Sequence, residues 1–232
     1  MNATVYEDGT YLKNNPTWHE EDSAWKTRQI NKILTKNNVK PISVCEIGCG
    51  AGEILNCMTQ SYGENVDFSG YEISPQAFSI CKKKEKPNLK FHSQDLFLEE
   101  NARFDVVMAI DVFEHVEDYF GFLRKLRPMG TYKVFHIPLD LSVQTVFRSE
   151  PIMKGRREVG HIHYFTKDTA LATLNDTGYQ VIDYAYTSGS LDLPNRGFRA
   201  NLLKLPRRLL FSLKQDFAVR LLGGFSLMVL AR

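Results

Sequence analysis

Apolar and polar positions change their period several times along the chain. Between residues 20 and 37, Trp25, Ile30, Ile33 and Leu34 recur at helical spacing behind Glu20, Glu21 and Asp22, which predicts an amphipathic helix with acids at its start, ended by Pro41. Short β-rich runs then alternate with helical patterns. They predict strands at 43–47, 66–72, 89–92, 104–110 and 131–137, with helices near 51–62, 75–84 and 118–127. Ser74 before Pro75 marks a helix start, a side-chain cap followed by a residue whose fixed φ suits the first turn. From 138 to 160 no period holds, and Pro151, Gly155 and Gly160 punctuate what reads as a long irregular connection. Pattern returns as a helix from Thr166 to Gly178, a strand at 179–187, a basic segment and a last strand at 225–231. Strands alternating with helices of this length predict an α/β fold, a parallel sheet covered on both faces. No internal repeat is visible.

Composition narrows the reading. The 232 residues are 43% hydrophobic and 24% charged, which excludes disorder and low complexity. The formal charge of +2 gives no global reason to expect a nucleic acid. No apolar run reaches the roughly 20 residues of a membrane span. The start, Met1-Asn-Ala-Thr-Val-Tyr-Glu-Asp, lacks the basic and apolar regions of a signal peptide. Cys45, Cys49, Cys57 and Cys81 show no zinc-ribbon spacing and read as free thiols, so the expected location is cytoplasmic. The charge is nonetheless uneven. Glu7, Asp8, Glu20, Glu21 and Asp22 face Lys13 in the first 25 residues, whereas 196–220 holds Arg196, Arg199, Lys204, Arg207, Arg208, Lys214 and Arg220 against Asp216. Leucines are interleaved there, so the segment is either a peripheral anionic contact or, the preferred reading, an extra helix docked by its leucines with its charges in solvent.

The most informative stretch is Val44-Cys-Glu-Ile-Gly-Cys-Gly-Ala-Gly52, an apolar strand running into three glycines before a helix. Glycines let the backbone turn sharply and let a ligand lie against the main chain. A dinucleotide fingerprint would need a third glycine where Glu53 stands, and Glu46 adds a charge that phosphate would not favour.

Glu46, Gly48, Gly50 and Gly52 together resemble motif I of the class I S-adenosylmethionine-dependent methyltransferases of small-molecule type. The resemblance continues through Val66-Asp-Phe-Ser-Gly-Tyr-Glu72, His92-Ser-Gln-Asp95-Leu96, Phe104-Asp-Val-Val-Met-Ala-Ile-Asp-Val-Phe-Glu-His115 and Gly160-His-Ile-His-Tyr-Phe-Thr166. It covers roughly residues 41–187, with 225–231 fitting the last strand. It implies a Rossmann-like, doubly wound seven-stranded sheet, mostly parallel with an antiparallel last strand. An N-terminal helical cap over 1–40 would precede a methyltransferase domain over 41–232, with a lid or insert at 138–165 and a basic helical insert at 188–222.

The implied cofactor is S-adenosylmethionine. Glu72 would accept its ribose hydroxyls and Asp95 with Leu96 would contact adenine, although Asp95 could equally cap a turn. Glu46 either meets the ligand or holds the glycine loop through backbone N–H groups. Cys49, Ile73, Ile110 and Asp111 complete the implied cofactor wall. The cap contributes Tyr11, Trp25 and Lys26 on the cofactor side, Lys26 facing the methionine carboxylate, and Trp18 and His19 on the acceptor side. Asp111, Glu114 and His115 cluster after a buried strand, where His115 is either an acceptor contact or a structural histidine. His161 and His163, two apart, would share one face if the segment were a strand and are the candidates to orient or deprotonate an acceptor. Without a nearby carboxylate or third ligand they make a poor metal site, and no metal is expected. The expected partner is a small-molecule acceptor, methylated at oxygen. A nicotinamide-dependent oxidoreductase, a binding module with a degenerate pocket, and methylation of RNA or protein are the alternatives.

Overall fold

A computed structural model describes residues 15, 17–18, 20–193 and 198–232. Tyr11 and His19 lie outside the described residues. Seven strands form one sheet: β1 (Ser43–Ile47), β2 (Asp67–Tyr71), β3 (Leu89–His92), β4 (Phe104–Ile110), β5 (Gly130–Leu139), β6 (Val181–Thr187) and β7 (Phe225–Ala231). Their spatial order is β3-β2-β1-β4-β5-β7-β6. β7 pairs antiparallel with both β5 and β6, while the remaining pairs are parallel. This is the Rossmann-like doubly wound sheet that the resemblance implied.

Strand alternation divides the apolar residues between two faces. Cys45, Ile47, Val107, Ala109, Phe135 and Ile137 join Leu123 and Leu126 of α4 (Tyr119–Leu126) and Leu174 of α7 (Lys167–Asp176). The intervening Val44, Val106, Met108 and Val134 join Ile30 and Leu34 of α1 (Glu20–Lys36) and Leu55 and Met58 of α2 (Glu53–Tyr62). The expected helix starts are built as read: Ser74 caps α3 (Pro75–Cys81) by accepting the Ala77 N–H, and Thr166 caps α7 by accepting the Thr169 N–H. Helix α1 is fastened at both ends. Lys84 bridges Glu20 and Glu53, and Lys36 pairs with Asp183 of β6 at 2.8 Å.

Two expectations fail. The stretch after β5 is not irregular, because α5 (Val143–Arg148) and α6 (Glu150–Glu158) fill it. Ser142 caps the first, and Pro151 sits in the first turn of the second, where its missing N–H costs nothing. Helices this short show no clear period. The basic segment, in turn, is docked the other way round. It forms α8 (Gly189–Asp192), α9 (Phe198–Leu213) and α10 (Gln215–Leu222). Lys204 donates to the Leu193 carbonyl, Arg207 to those of Leu222 and Gly223, and Arg208 to that of Leu191. Leu205, Leu209, Leu213 and Phe217 are exposed. Lys204, Arg207 and Arg208 anchor α9 while Leu205, Leu209 and Leu213 face solvent, and Phe211 packs on the core with its ring stacked on Phe225.

Gly52 shows how the glycine loop is packed. Its φ is 73°, and a Cβ there would lie 2.5 Å from the Phe91 ring. Gly52→Ala is expected to destabilise the protein by about 2–4 kcal/mol, combining left-handed strain with overpacking. Denaturant unfolding measures this, and a change within about 0.5 kcal/mol, typical of a neutral surface substitution, would refute the packing role.

Candidate active site

Parallel strands end together at the point where the strand order reverses between β1 and β4, the usual place for a ligand crevice. A cavity of about 700 Å³ opens there. Glu46, Gly48, Cys49 and Gly50 from β1 and its loop line it, as do Glu72, Ile73, Asp95 and Leu96 after β2 and β3, and Ile110 and Asp111 after β4. Helix α1 brings Trp25 and Lys26, and Trp18, His115 and His161 complete the list of expected residues that reach the cavity.

Glu72 holds this loop system together. It is buried, and its two carboxylate oxygens accept the Gly50 N–H at 2.8 Å and the Ser74 N–H at 2.7 Å. Burial raises its pKa while these backbone donors pull it back down. A carboxylate has about four lone-pair sites, so acceptor capacity remains for a ligand. Loop holding therefore falls to Glu72, and the two readings of Glu46 separate. Glu46 is buried with one carboxylate oxygen that has no hydrogen-bond partner. Asp95 accepts the Phe97 N–H at 2.9 Å, capping a turn, and it also lines the cavity.

Asp111 is the centre of a second network. Its φ of 55° is left-handed, a conformation that Asp tolerates better than most residues. One carboxylate oxygen lies 2.8 Å from the Lys26 ammonium and the other 2.6 Å from His136 Nδ1. A carboxylate cannot donate, so His136 Nδ1 carries a proton toward Asp111, and Nε2 lies 2.8 Å from the Thr187 hydroxyl. Burial opposes ionisation of Asp111, but His136 and Lys26 together hold its carboxyl well below the usual range. Burial likewise disfavours the Lys26 charge, and Asp111, Asp22 and Glu46 outweigh it, so its pKa is raised.

At the far end, His115 Nδ1 faces the Gly160 carbonyl at 3.0 Å and His161 Nδ1 faces Asp140 Oδ2 at 2.7 Å. Their ring centroids are 4.9 Å apart. His163 does not reach the cavity. Residues 160–163 are not a strand, so His161 and His163 do not share a face; His163 Nε2 instead donates to the Val116 carbonyl at 3.0 Å, its ring beside Tyr119. Gly52 also stands behind the cavity wall rather than in it. Sequence reading missed His136, whose position at the carboxyl end of a central strand is a usable signal, and Asp140, which lies just past the same strand. It also expected no carboxylate beside the histidines, yet Glu114, His115 and His161 place one possible ligand atom each within 4.8 Å of one another.

Fold and cavity define a Rossmann-like α/β domain whose ligand site lies at the carboxyl ends of its parallel strands. Residues 17–184, more than half of the chain, match the methyltransferase-domain family, and the chain belongs to that family. It is 31% identical over 111 residues to a ubiquinone biosynthesis O-methyltransferase of Rhodopseudomonas palustris (strain TIE-1), a match covering 41% of this chain and 42% of the relative. The chain thus spans less than half the length of that curated relative. The fold resembles magnesium protoporphyrin IX methyltransferase from Synechocystis PCC 6803, solved with bound SAH, at a TM-score of 0.59 and 16% identity over 94% of this chain and 85% of that one. An N-methyltransferase from Bradyrhizobium japonicum WM9, solved with S-adenosyl-L-homocysteine, aligns at 0.56 and 14% over 89% and 85%.

Glu46 offers a test of the site's electrostatics. Burial drives its carboxyl up to about 8; Lys26 opposes the shift, and Glu72, Asp111 and Cys81 add to it. Because the folded value lies above the ordinary 4.5, the folded state keeps a proton that the unfolded chain releases. This contribution is fully present below about 4.5 and is lost as pH rises to about 8. Glu46→Gln should therefore gain stability over the parent progressively across that window, by on the order of 4 kcal/mol. Paired urea titrations across the range measure it, and a pH-independent difference would contradict the assignment.

Proposed function

We propose that this chain transfers a methyl group from S-adenosylmethionine to an oxygen atom of a small-molecule acceptor. One observation carries the reading: the glycine loop, Glu72, Asp95 and Asp111, which stand on four different strand ends, converge on one cavity. The O-methyltransferase name of the relative supports the choice of oxygen.

The lining suits this cofactor. Glu46, Glu72, Asp95 and Asp111 line the cavity, which suits a ligand cationic at its sulfur and its amino group, and one Glu46 oxygen there has no hydrogen-bond partner. A Cβ at Gly50 would meet Trp18 at 3.7 Å and little else, so a ligand can lie along the main chain there. Glu53, standing where a dinucleotide loop would need glycine, is drawn aside into an ion pair with Lys84 at 2.7 Å. When bound, S-adenosylmethionine supplies an already activated methyl group on a sulfonium.

The protein's work is then alignment, exclusion of water and management of one proton. Glu72 accepts the ribose hydroxyls with its remaining lone pairs. Asp95 keeps its second oxygen for the adenine edge. Lys26, charged and held by Asp111, faces the carboxylate of the methionine part. Trp18 and Trp25 close the cavity from the N-terminal side. His115 and His161 stand at the acceptor end, where an acceptor hydroxyl must lose its proton. Asp140 holds the His161 ring in one orientation and tautomer, as the carboxylate partner of a catalytic histidine does.

Two further points of the reading concern setting. No helix among the described residues is long and apolar enough to cross a membrane. All four cysteines are free, in keeping with a reducing cytoplasm. Arg196 lies outside the described residues; among the described side chains of 196–220, a peripheral anionic contact would draw on Lys214, since Arg220 pairs with Asp168 at 2.7 Å and Lys204, Arg207 and Arg208 hold main-chain carbonyls.

Isothermal titration with S-adenosylhomocysteine and, separately, NAD tests the proposal. S-adenosylhomocysteine should bind and NAD should not; binding of NAD alone would overturn it. Glu72→Ala should weaken S-adenosylhomocysteine by about 10- to 100-fold, the loss of one or two charge-assisted hydrogen bonds. An unchanged affinity would remove Glu72 from the ligand.

A further inference from the structure

Glu114 is the group in this structure with the least explanation. It is 0% exposed, and neither carboxylate oxygen has a hydrogen-bond partner. A buried carboxylate without a partner is strongly unfavourable, and such groups are normally paired or bound to a metal. Its backbone carbonyl, by contrast, is used twice: it accepts the N–H groups of Ile162 and His163 at 3.0 and 3.1 Å, which pins the segment bearing His161 against it.

The neighbours of that carboxylate are ligand atoms. His115 Nε2 lies 3.9 Å from Glu114 Oε1, and a ring nitrogen of His161 completes a group whose members all lie within 4.8 Å of one another. Two ligands of a tetrahedral zinc ion at the usual bond lengths are about 3.3 Å apart, so modest side-chain rotation closes the set. Both rings already have the outer contacts that metal-bound imidazoles need. His115 donates its Nδ1–H to the Gly160 carbonyl, and Asp140 takes the Nδ1–H of His161, which leaves Nε2 as the basic atom of each ring. Finally, His115 and His161 line the cavity whereas Glu114 lies behind them. A cation bound by all three would have its open coordination position toward the cavity.

We propose that Glu114, His115 and His161 form a divalent transition-metal site of the two-histidine, one-carboxylate kind, with zinc the best match to its ligand set. The site is independent of the methyl-transfer reading. Its use rests on that reading: an ion there would bind an acceptor hydroxyl through its open position and ease loss of that proton to water.

The experiment uses the whole chain, stripped with chelator and free of any affinity tag. Cobalt(II) should give the visible absorption of a four- or five-coordinate ion, saturating at one equivalent, and zinc should displace it with an affinity of micromolar or tighter. Glu114→Gln should weaken cobalt at least about 100-fold, and Asp140→Asn about 10- to 100-fold through the His161 ring. Should Glu114→Gln fail to fold, His161→Gln, at the cavity wall, gives the same reading, with circular dichroism as the check on folding. Absence of stoichiometric cobalt binding to the parent, or binding that none of these variants weakens, overturns the site. Titration of the metal-free parent with S-adenosylhomocysteine keeps the two proposals apart. Cofactor binding without cobalt binding refutes the metal site alone, and cobalt binding without cofactor binding refutes the methyl-transfer reading alone.

Discussion

The geometry of the cavity depends on one half-buried carboxylate. Asp111 stands where β4 ends and is gripped from two sides, by Lys26 of α1 and by His136 of β5, which is itself tied to Thr187 of β6. Removing either partner would leave the carboxylate with less compensation for its partial burial. The consequence is positional. Helix α1 packs on the sheet through Ile30, Ile33 and Leu34, contacts that tolerate sliding; the Lys26–Asp111 ion pair fixes where along the sheet it sits. With α1 placed, Trp25 comes edge-on to His136 and closes one wall of the cavity. Asp111 achieves this only by taking a left-handed backbone conformation, so the strand-end turn stores strain in the place where the proposed ligand passes.

That arrangement explains which parts of the site could be read from the chain. Strand positions were legible because burial on both faces imposes apolar runs of four to seven residues, and β1, β3 and β4 have the bounds their patterns predict. Glu72 and Asp95 were expected from the resemblance, which places an acid just past each of two such strands, and both residues line the cavity. His136 was not, because its role comes from Asp111, 25 residues earlier, and no local pattern marks that pairing. His163 was misplaced for a related reason. Spacing by two implies a common face only if the backbone is extended, and residues 160–163 instead follow hydrogen bonds to the Glu114 carbonyl. The basic segment misled through its composition: arginines whose guanidinium groups reach main-chain carbonyls act as anchors, so charge there marks the docked side.

The lining also accounts for the kind of ligand the cavity favours. Six carboxyl groups, Asp22, Glu46, Glu53, Glu72, Asp95 and Asp111, line the cavity with the one ammonium of Lys26; Glu46 keeps its proton and Glu53 is paired with Lys84, yet in surroundings of low dielectric the remaining imbalance is stronger than at a surface. An anionic phosphate would have to overcome it, whereas a ligand with a sulfonium and an amino group relieves it. Glu46 is the residue most exposed to this effect. Buried and lacking a partner for one oxygen, it holds a proton at neutral pH that a nearby cation would displace. The same carboxylate that weakens the empty protein is thus suited to a positively charged occupant.

The two ends of the cavity differ in how they are built, and this bears on how specificity arises. The cofactor end consists of strand termini and the turns that follow them, so the sheet positions it and it would change little among proteins that share this fold. The acceptor end is assembled from residues 111–116, 136–140 and 159–161, three segments that meet only after the sheet has formed. Their mutual position rests on a few main-chain bonds: Asp111 N–H to the His136 carbonyl, Ile162 and His163 N–H to the Glu114 carbonyl, and His163 to the Val116 carbonyl. His163 lies outside the cavity, and its bond to the Val116 carbonyl fastens the segment that carries His161 beside His115. A change of length or composition after β5 would move Asp140 and, with it, the ring of His161, while leaving Glu72 and the glycine loop where they are. A change at that end of the cavity can consequently occur on this scaffold without disturbing the glycine loop and Glu72, because the two ends share no segment other than the β4 terminus.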